Sequence, residues 1–200
     1  MQRTMKFSFR TTSLISCLVL SVNAAAGFLE GQIAWSSGDY RAALQEWKPL
    51  AVKGDPEAQY WLAGMHENGE GVIQDHQEAV KWYTMSAKQG FAPAQGQLGI
   101  FFQTGPIDFR DYKKSVRWLT AAAEQGIGSA QLGLAAAYIG GWGVIGDYVY
   151  AHMWLNIAIA NGAEEARGTF ETLKQKMTSS QIAEAQRLAR ECVKKEYKNC

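Results

Sequence analysis

Three histidines, His66, His76 and His152, and three carboxylates, Glu67, Glu70 and Asp108, are the groups of this 200-residue chain with the widest chemical reach. A metal ion needs three or four donors that converge. The histidines fall at three different positions of the chain's internal period, so no common surface gathers them, and no metal site is expected. His66-Glu67 lacks the second histidine four residues on that a helical zinc pair requires. No serine after the leader is followed three residues later by lysine, which removes one nucleophile pattern. Gly140-Gly141-Trp142-Gly143 is rich in glycine but joins helix to helix, whereas phosphate loops follow a strand. His66 shares its position with Phe102 and Tyr138 and reads as a packed residue. The chain therefore reads as a non-enzyme without a cofactor. Glu67 or Glu70 beside Asp108, with raised pKa values, would instead favour a hydrolase acting on cell-wall material.

The elements that position these residues recur every 36 residues. Gly54, Gly90, Gly126 and Gly162 mark the step, as do Asp39, Asp75, Asp111 and Asp147. Ala58, Ala94, Ala130 and Ala166 keep it, with Leu62, Leu98 and Leu134 and with Trp82, Trp118 and Trp154. A fixed period of this size means stacked units, because one unit cannot bury its own apolar face. Asp55-Pro56-Glu57 is a helix start, with a capping side chain, a proline at the first position and an acid at the positive dipole end. Ala58, Leu62 and Met65 follow on one helical face. Asn68-Gly69-Glu70-Gly71 breaks that helix, and Asp75-His76-Gln77-Glu78 opens a second. Each unit is helix, loop, helix, turn.

The boundaries follow from the period. Residues 27–53 read as a degenerate capping helix pair, 54–162 as three full repeats, and 163–200 as C-terminal capping helices. Thr178-Ser179-Ser180-Gln181 is a capping box for the last helix, whose outer side carries Glu184, Arg187, Glu191 and Lys195. The expected architecture is all-α, a right-handed solenoid of paired helices.

Residues 1–26 read as a secretory signal peptide. Arg3, Lys6 and Arg10 precede a short apolar core from Leu14 to Val22, and Ala24-Ala25-Ala26 offers small residues for cleavage. The apolar run is shorter than the roughly 20 residues of a spanning helix. Leu14-Ile15-Ser16-Cys17 looks like a lipoprotein box, but too little apolar chain precedes Cys17. Without the leader, 17 basic residues face 19 acidic ones. That balance makes no footprint for nucleic acid, and no other stretch could span a bilayer. A periplasmic or secreted location is expected. There Cys192 and Cys200 suit a disulfide that staples the tail, which requires the helix carrying Cys192 to end and fold back. The alternative is two free thiols in a frayed tail.

First helices usually line the concave side of such arrays. Their faces away from the core carry Tyr60, Ile100, Leu132 and Ile139, which would anchor a bound protein or peptide segment. Glu67 and Gln103 would form its polar rim. The same residues would also serve simply to pack neighbouring first helices together. Trp82, Trp118 and Trp154 share one phase in the second helices and read as core. Exposed rings would instead favour glycan binding.

On Ala58, Leu62, Gly69-Glu70-Gly71-Val72, Asp75, Ala79, Trp82, Ala87 and Gly90, with their echoes through Gly162, the chain resembles the Sel-one-like repeat family. That family is an α-solenoid class close to tetratricopeptide repeats. The resemblance implies a scaffold or adaptor role in the bacterial cell envelope. It covers roughly residues 38–162. The second unit departs from it, with Gly105-Pro106-Ile107-Asp108 where the pattern has Gly-x-Gly-Val, so that loop should turn differently.

Overall fold

The structure, a computed structural model, describes residues 26–200. The leader read at 1–26 lies outside the described residues except for Ala26. Among the described residues there are ten α-helices, one short 3-10 helix and no strand. The chain divides between Ala79 and Val80 into two compact units.

The first unit holds α1 (26–36), α2 (Tyr40–Val52), α3 (Pro56–Asn68) and the start of α4 (His76–Lys88). Its interior is aromatic. Trp47 is fully buried and stacks on Trp61 at 5.2 Å, and Trp35 lies 5.2 Å from Trp61 on another side. Gly31 of α1 makes this possible, since a Cβ there would fall 2.3 Å from the Trp47 indole nitrogen. That indole donates to the Phe28 carbonyl at 3.2 Å.

The second unit, Val80–Cys200, holds the rest of α4, then α5 (Ala92–Thr104), the 3-10 turn (Ile107–Phe109) and α6 (Tyr112–Ala123). There follow α7 (Gly128–Gly140), α8 (Tyr148–Ala160), α9 (Ala166–Lys174) and α10 (Ser179–Lys194). Leu119 of α6 is fully buried because α5 and α7 both present glycine to it. A Cβ would stand 2.7 Å from its side chain at Gly99 and 3.0 Å at Gly133. Helix α8 is buried nearly all round, and α9 and α10 both pack on it. The outer side of α10 is charged, with Arg187 paired to Glu184 and Glu191.

Helix starts follow from local chemistry. The repeating aspartates cap second helices: Asp39 accepts from the Ala42 amide at 3.0 Å, Asp111 from Lys114 at 3.0 Å, and Asp147 from Val149 at 2.7 Å. Asp75 accepts from Gln77 and Glu78. These amides hold the Asp75 and Asp111 carboxyls below the usual carboxylate range, because each bond favours the charged form. Asp55 caps α3 and Thr178 closes the capping box of α10 with Gln181.

The loops between paired helices come in two forms. Gly71 and Gly143 share one repeat position and take φ of +71° and +76°. At both, a Cβ would strike the backbone at the start of the preceding second helix, 2.8 Å from the Tyr40 carbonyl oxygen and 2.4 Å from that of Tyr112. The second repeat has Ile107 at this position. Its Gly105 is extended (φ −65°, ψ −172°) rather than left-handed, and the chain continues into the 3-10 turn.

The tryptophans depart from expectation. Trp154 is buried, 4% exposed, but Trp82 and Trp118 are only half-buried. Register places all three on second helices. What covers them differs.

A candidate protein-binding face on the first helices

In the first unit, α3 presents Tyr60 and Glu67, both half-buried. The Tyr60 ring packs edge-on against Trp61 at 5.6 Å. Burial, then the nearby charge of Glu67, pushes the Tyr60 hydroxyl above its ordinary pKa. The Glu67 backbone carbonyl accepts from the Gln74 side chain at 2.8 Å, which ties the loop to the helix end.

In the second unit, Ile100 of α5 and Leu132 and Ile139 of α7 are half-buried at the margin of the core. Each covers part of the interior and leaves the remainder open. Ile139 also borders a cavity of about 390 Å³, closed on the other side by Thr169, Thr172 and Leu173 of α9. Gln103 is not a rim residue. It is 6% exposed, and its amide donates to the Gly133 carbonyl of α7 at 3.1 Å. A buried amide must be satisfied, and this one is satisfied between first helices rather than by a partner. The anchors thus fall into two sets, Tyr60 with Glu67 and Ile100 with Leu132 and Ile139, each on its own unit.

A set of glutamines escaped the sequence reading. Gln59 donates to the Ala51 carbonyl at 3.0 Å, Gln95 to Ala87 at 3.1 Å, and Gln131 to Ala123 at 3.1 Å. All three are buried and fasten a first helix to the end of the preceding second helix. Gln125 then donates to Gln95 at 2.8 Å, and Asn161 to Gln131 at 3.0 Å. Their signal in the sequence is one more residue type at the same step, though a polar residue on an apolar face does not by itself read as core.

The other candidate groups are scattered. His152 is fully buried against Phe170, 4.5 Å between ring centres, and neither ring nitrogen has a hydrogen-bond partner. Burial and the Lys174 charge push its pKa down. The Glu70 carboxylate accepts from the Trp35 indole at 3.3 Å in the first unit, while Asp108 is exposed in the second. Among the described residues no group of three or more His, Cys, Asp or Glu could hold a metal ion. No described helix is long and apolar enough to cross a membrane. Cys192 and Cys200 are joined, Cα atoms 5.3 Å apart, by a chain that leaves α10 and turns back through positive φ at Glu196, Tyr197 and Asn199.

The Sel1 repeat pattern matches residues 56–91, 92–127 and 128–162, over half of the chain. The chain belongs to the Sel1 repeat family. Sel1 repeats are helical pairs that generally act as protein-interaction scaffolds, so the family assignment agrees with the all-helical architecture above. Among solved structures the chain is similar to a Sel1 repeat protein from Oxalobacter formigenes, with 27% identity and a TM-score of 0.66 over 74% of this chain and 57% of that one. It is also similar to c5321, a protective antigen of uropathogenic Escherichia coli with the same kind of fold. That match has 26% identity and a TM-score of 0.50, covering 92% of this chain and 49% of the other. Among curated proteins it is 36% identical over 66 residues to the exopolysaccharide production negative regulator of Rhizobium leguminosarum bv. viciae. That stretch is 33% of this chain and 25% of the relative, so the chain spans a minor part of the regulator.

Proposed function

We propose that this Sel1 repeat protein is an interaction scaffold of the bacterial cell envelope that holds a protein or peptide segment on its first-helix faces. The observation that carries this reading is the placement of Ile100, Leu132 and Ile139. These are large apolar side chains on α5 and α7, half open at the edge of an otherwise well-filled interior. Such a surface is already formed before a partner arrives, so binding does not have to order it. Tyr60 and Glu67 offer an aromatic and a charge on the other unit. The Cys192–Cys200 bond suits an oxidising compartment, which, with the leader pattern, favours the periplasm or the exterior. A relative matched over 66 residues is named as a negative regulator of exopolysaccharide production, which supports a regulatory setting for such a scaffold.

Affinity capture from envelope extract tests the reading. Wild type should retain a partner that a folded Ile100→Glu/Leu132→Glu variant loses. Equal capture by both would discard the first-helix face.

A second reading, binding of a glycan strand, draws on Trp142. It is 40% exposed and stacked on Tyr112 at 5.8 Å and 17°. Aromatic faces of this kind receive sugar rings. Trp142→Ala should then abolish retention on cell-wall glycan, and unchanged retention would remove this reading.

A further inference from the structure

Two faces one period apart within Val80–Cys200 are built from matching residues, and the chain covers only one. The covered face includes Glu124, Leu134, Tyr138 and Trp154, and the stapled tail lies over it. A Cβ at Gly126 would lie 3.4 Å from the Tyr197 ring, and the Tyr197 hydroxyl donates to Asn161 Oδ1 at 3.0 Å. The Lys198 ammonium is 4.0 Å from the Glu124 carboxylate, which also accepts the Asn199 amide at 3.1 Å.

One period earlier the counterparts are Lys88 for Glu124, Phe102 for Tyr138, Trp118 for Trp154, Gln125 for Asn161 and Gly90 for Gly126. Here Phe102 is buried, with the Lys114 ammonium over its ring, but the surroundings of Gly90, Trp118 and Lys88 stand open. A Cβ at Gly90 would meet nothing within 4 Å, where at Gly126 it would meet the tyrosine ring. Trp118 is half-buried where Trp154 is covered. Gln125 uses its amide N–H groups on Gly90, Gln95 and Ala121, as Asn161 uses its own on Gln131. The Gln125 carbonyl oxygen is left as an unused acceptor, in the role in which Asn161 receives the phenol. The charge is reversed, Lys88 standing where Glu124 does. Lys88 is exposed and forms no ion pair among the described residues.

We propose that the face around Trp118 docks a segment of another protein that carries a tyrosine followed by an acidic residue. The phenol would bond to Gln125 over Gly90, and the carboxylate would meet Lys88, as Tyr197 and Lys198 are seated one repeat later. A second copy of this chain's tail does not fit, because Lys198 would confront Lys88. The site lies on α4 and α6 and uses none of Ile100, Leu132 or Ile139, so this face and the first-helix face stand or fall separately.

The test uses two synthetic peptides with the sequence of residues 194–200 and Cys200→Ser, one keeping Lys198 and one with Lys198→Glu. Each is titrated into the full chain with its disulfide intact, labelled with fluorotryptophan, and the Trp118 resonance is followed. The Lys198→Glu peptide should shift that resonance and bind about fivefold more tightly than its partner, the factor one exposed ion pair supplies. Lys88→Glu in the protein, at an exposed position that leaves the fold intact, should reverse the order, and Gln125→Ala should weaken the better peptide. Equal binding, an unmoved Trp118 resonance, a shift at Trp154 instead, or an order indifferent to Lys88→Glu would each overturn the proposal.

Discussion

The second and third repeats share a period, and three matched positions show how their surroundings differ. Trp118 is half-buried and Trp154 is covered by the tail. Ile107 is exposed on a 3-10 turn, where Gly143 is pressed against Tyr112. Val116 is an ordinary half-buried aliphatic, where His152 is sealed in with no partner for either nitrogen. Repeat register decides which helix a residue sits on and which way it faces. Its exposure, and so its availability to a partner, is decided by what the chain lays across it afterwards.

The largest effect should separate the two indoles. Trp154→Ala should cost about 3–5 kcal/mol in chemical unfolding, a buried aromatic truncation. Trp118→Ala should cost about 1–2 kcal/mol, in proportion to the smaller apolar area it hides. Equal losses would break the comparison. Next in size, Cys200→Ser removes the staple and should lower stability by about 2–3 kcal/mol, measured by urea titration. It should also leave Trp118 unaffected, which distinguishes loss of cover from general loosening.

The loops give a smaller contrast. Gly143→Ala forces a side chain into a left-handed conformation against backbone and should cost about 1–3 kcal/mol. Ile107→Ala, at a site 75% exposed, should stay within about 0.5 kcal/mol. Thermal melts of the two variants make the comparison.

The smallest effect is in pH. His152 has a depressed pKa in the folded chain, so the unfolded chain takes up the proton first as pH falls. The stability it contributes is complete above its unfolded value, about 6.5, and drains as pH drops through the lower folded value. His152→Phe should flatten the stability profile between about pH 7 and 5. The lowered Asp75 and Asp111 pKa values leave an acid limb below about pH 4 in both proteins, since capping carboxylates lose their charge there. An unchanged slope in His152→Phe would remove the buried imidazole from the account.

What was legible in the sequence was local chemistry and period. The Asp caps, the Gly turns, the Thr178–Gln181 box and the altered second loop all follow from groups that act within a few residues of themselves. The glutamine fasteners at Gln59, Gln95 and Gln131 were legible in principle, because they keep the step, but their worth lies in a carbonyl eight residues back on another helix. Gln103 was misplaced for a related reason, since its acceptor at Gly133 is 30 residues away. Trp154 is sealed as its phase implies, but the half-exposed states of Trp82 and Trp118 could not be read, since all three rings were expected in the core. The cover over Trp154 depends on the final residues, where the period has faded, returning over α8.

The most direct measurement is solvent access at matched tryptophans. The seven tryptophans, labelled with fluorine and assigned by single Trp→Phe substitutions, can be exposed to a soluble paramagnetic agent. The Trp118 resonance should broaden while Trp154 stays sharp, and Cys200→Ser should make Trp154 broaden as well. Equal protection or equal broadening of the two indoles in the disulfide-bonded chain would contradict the account.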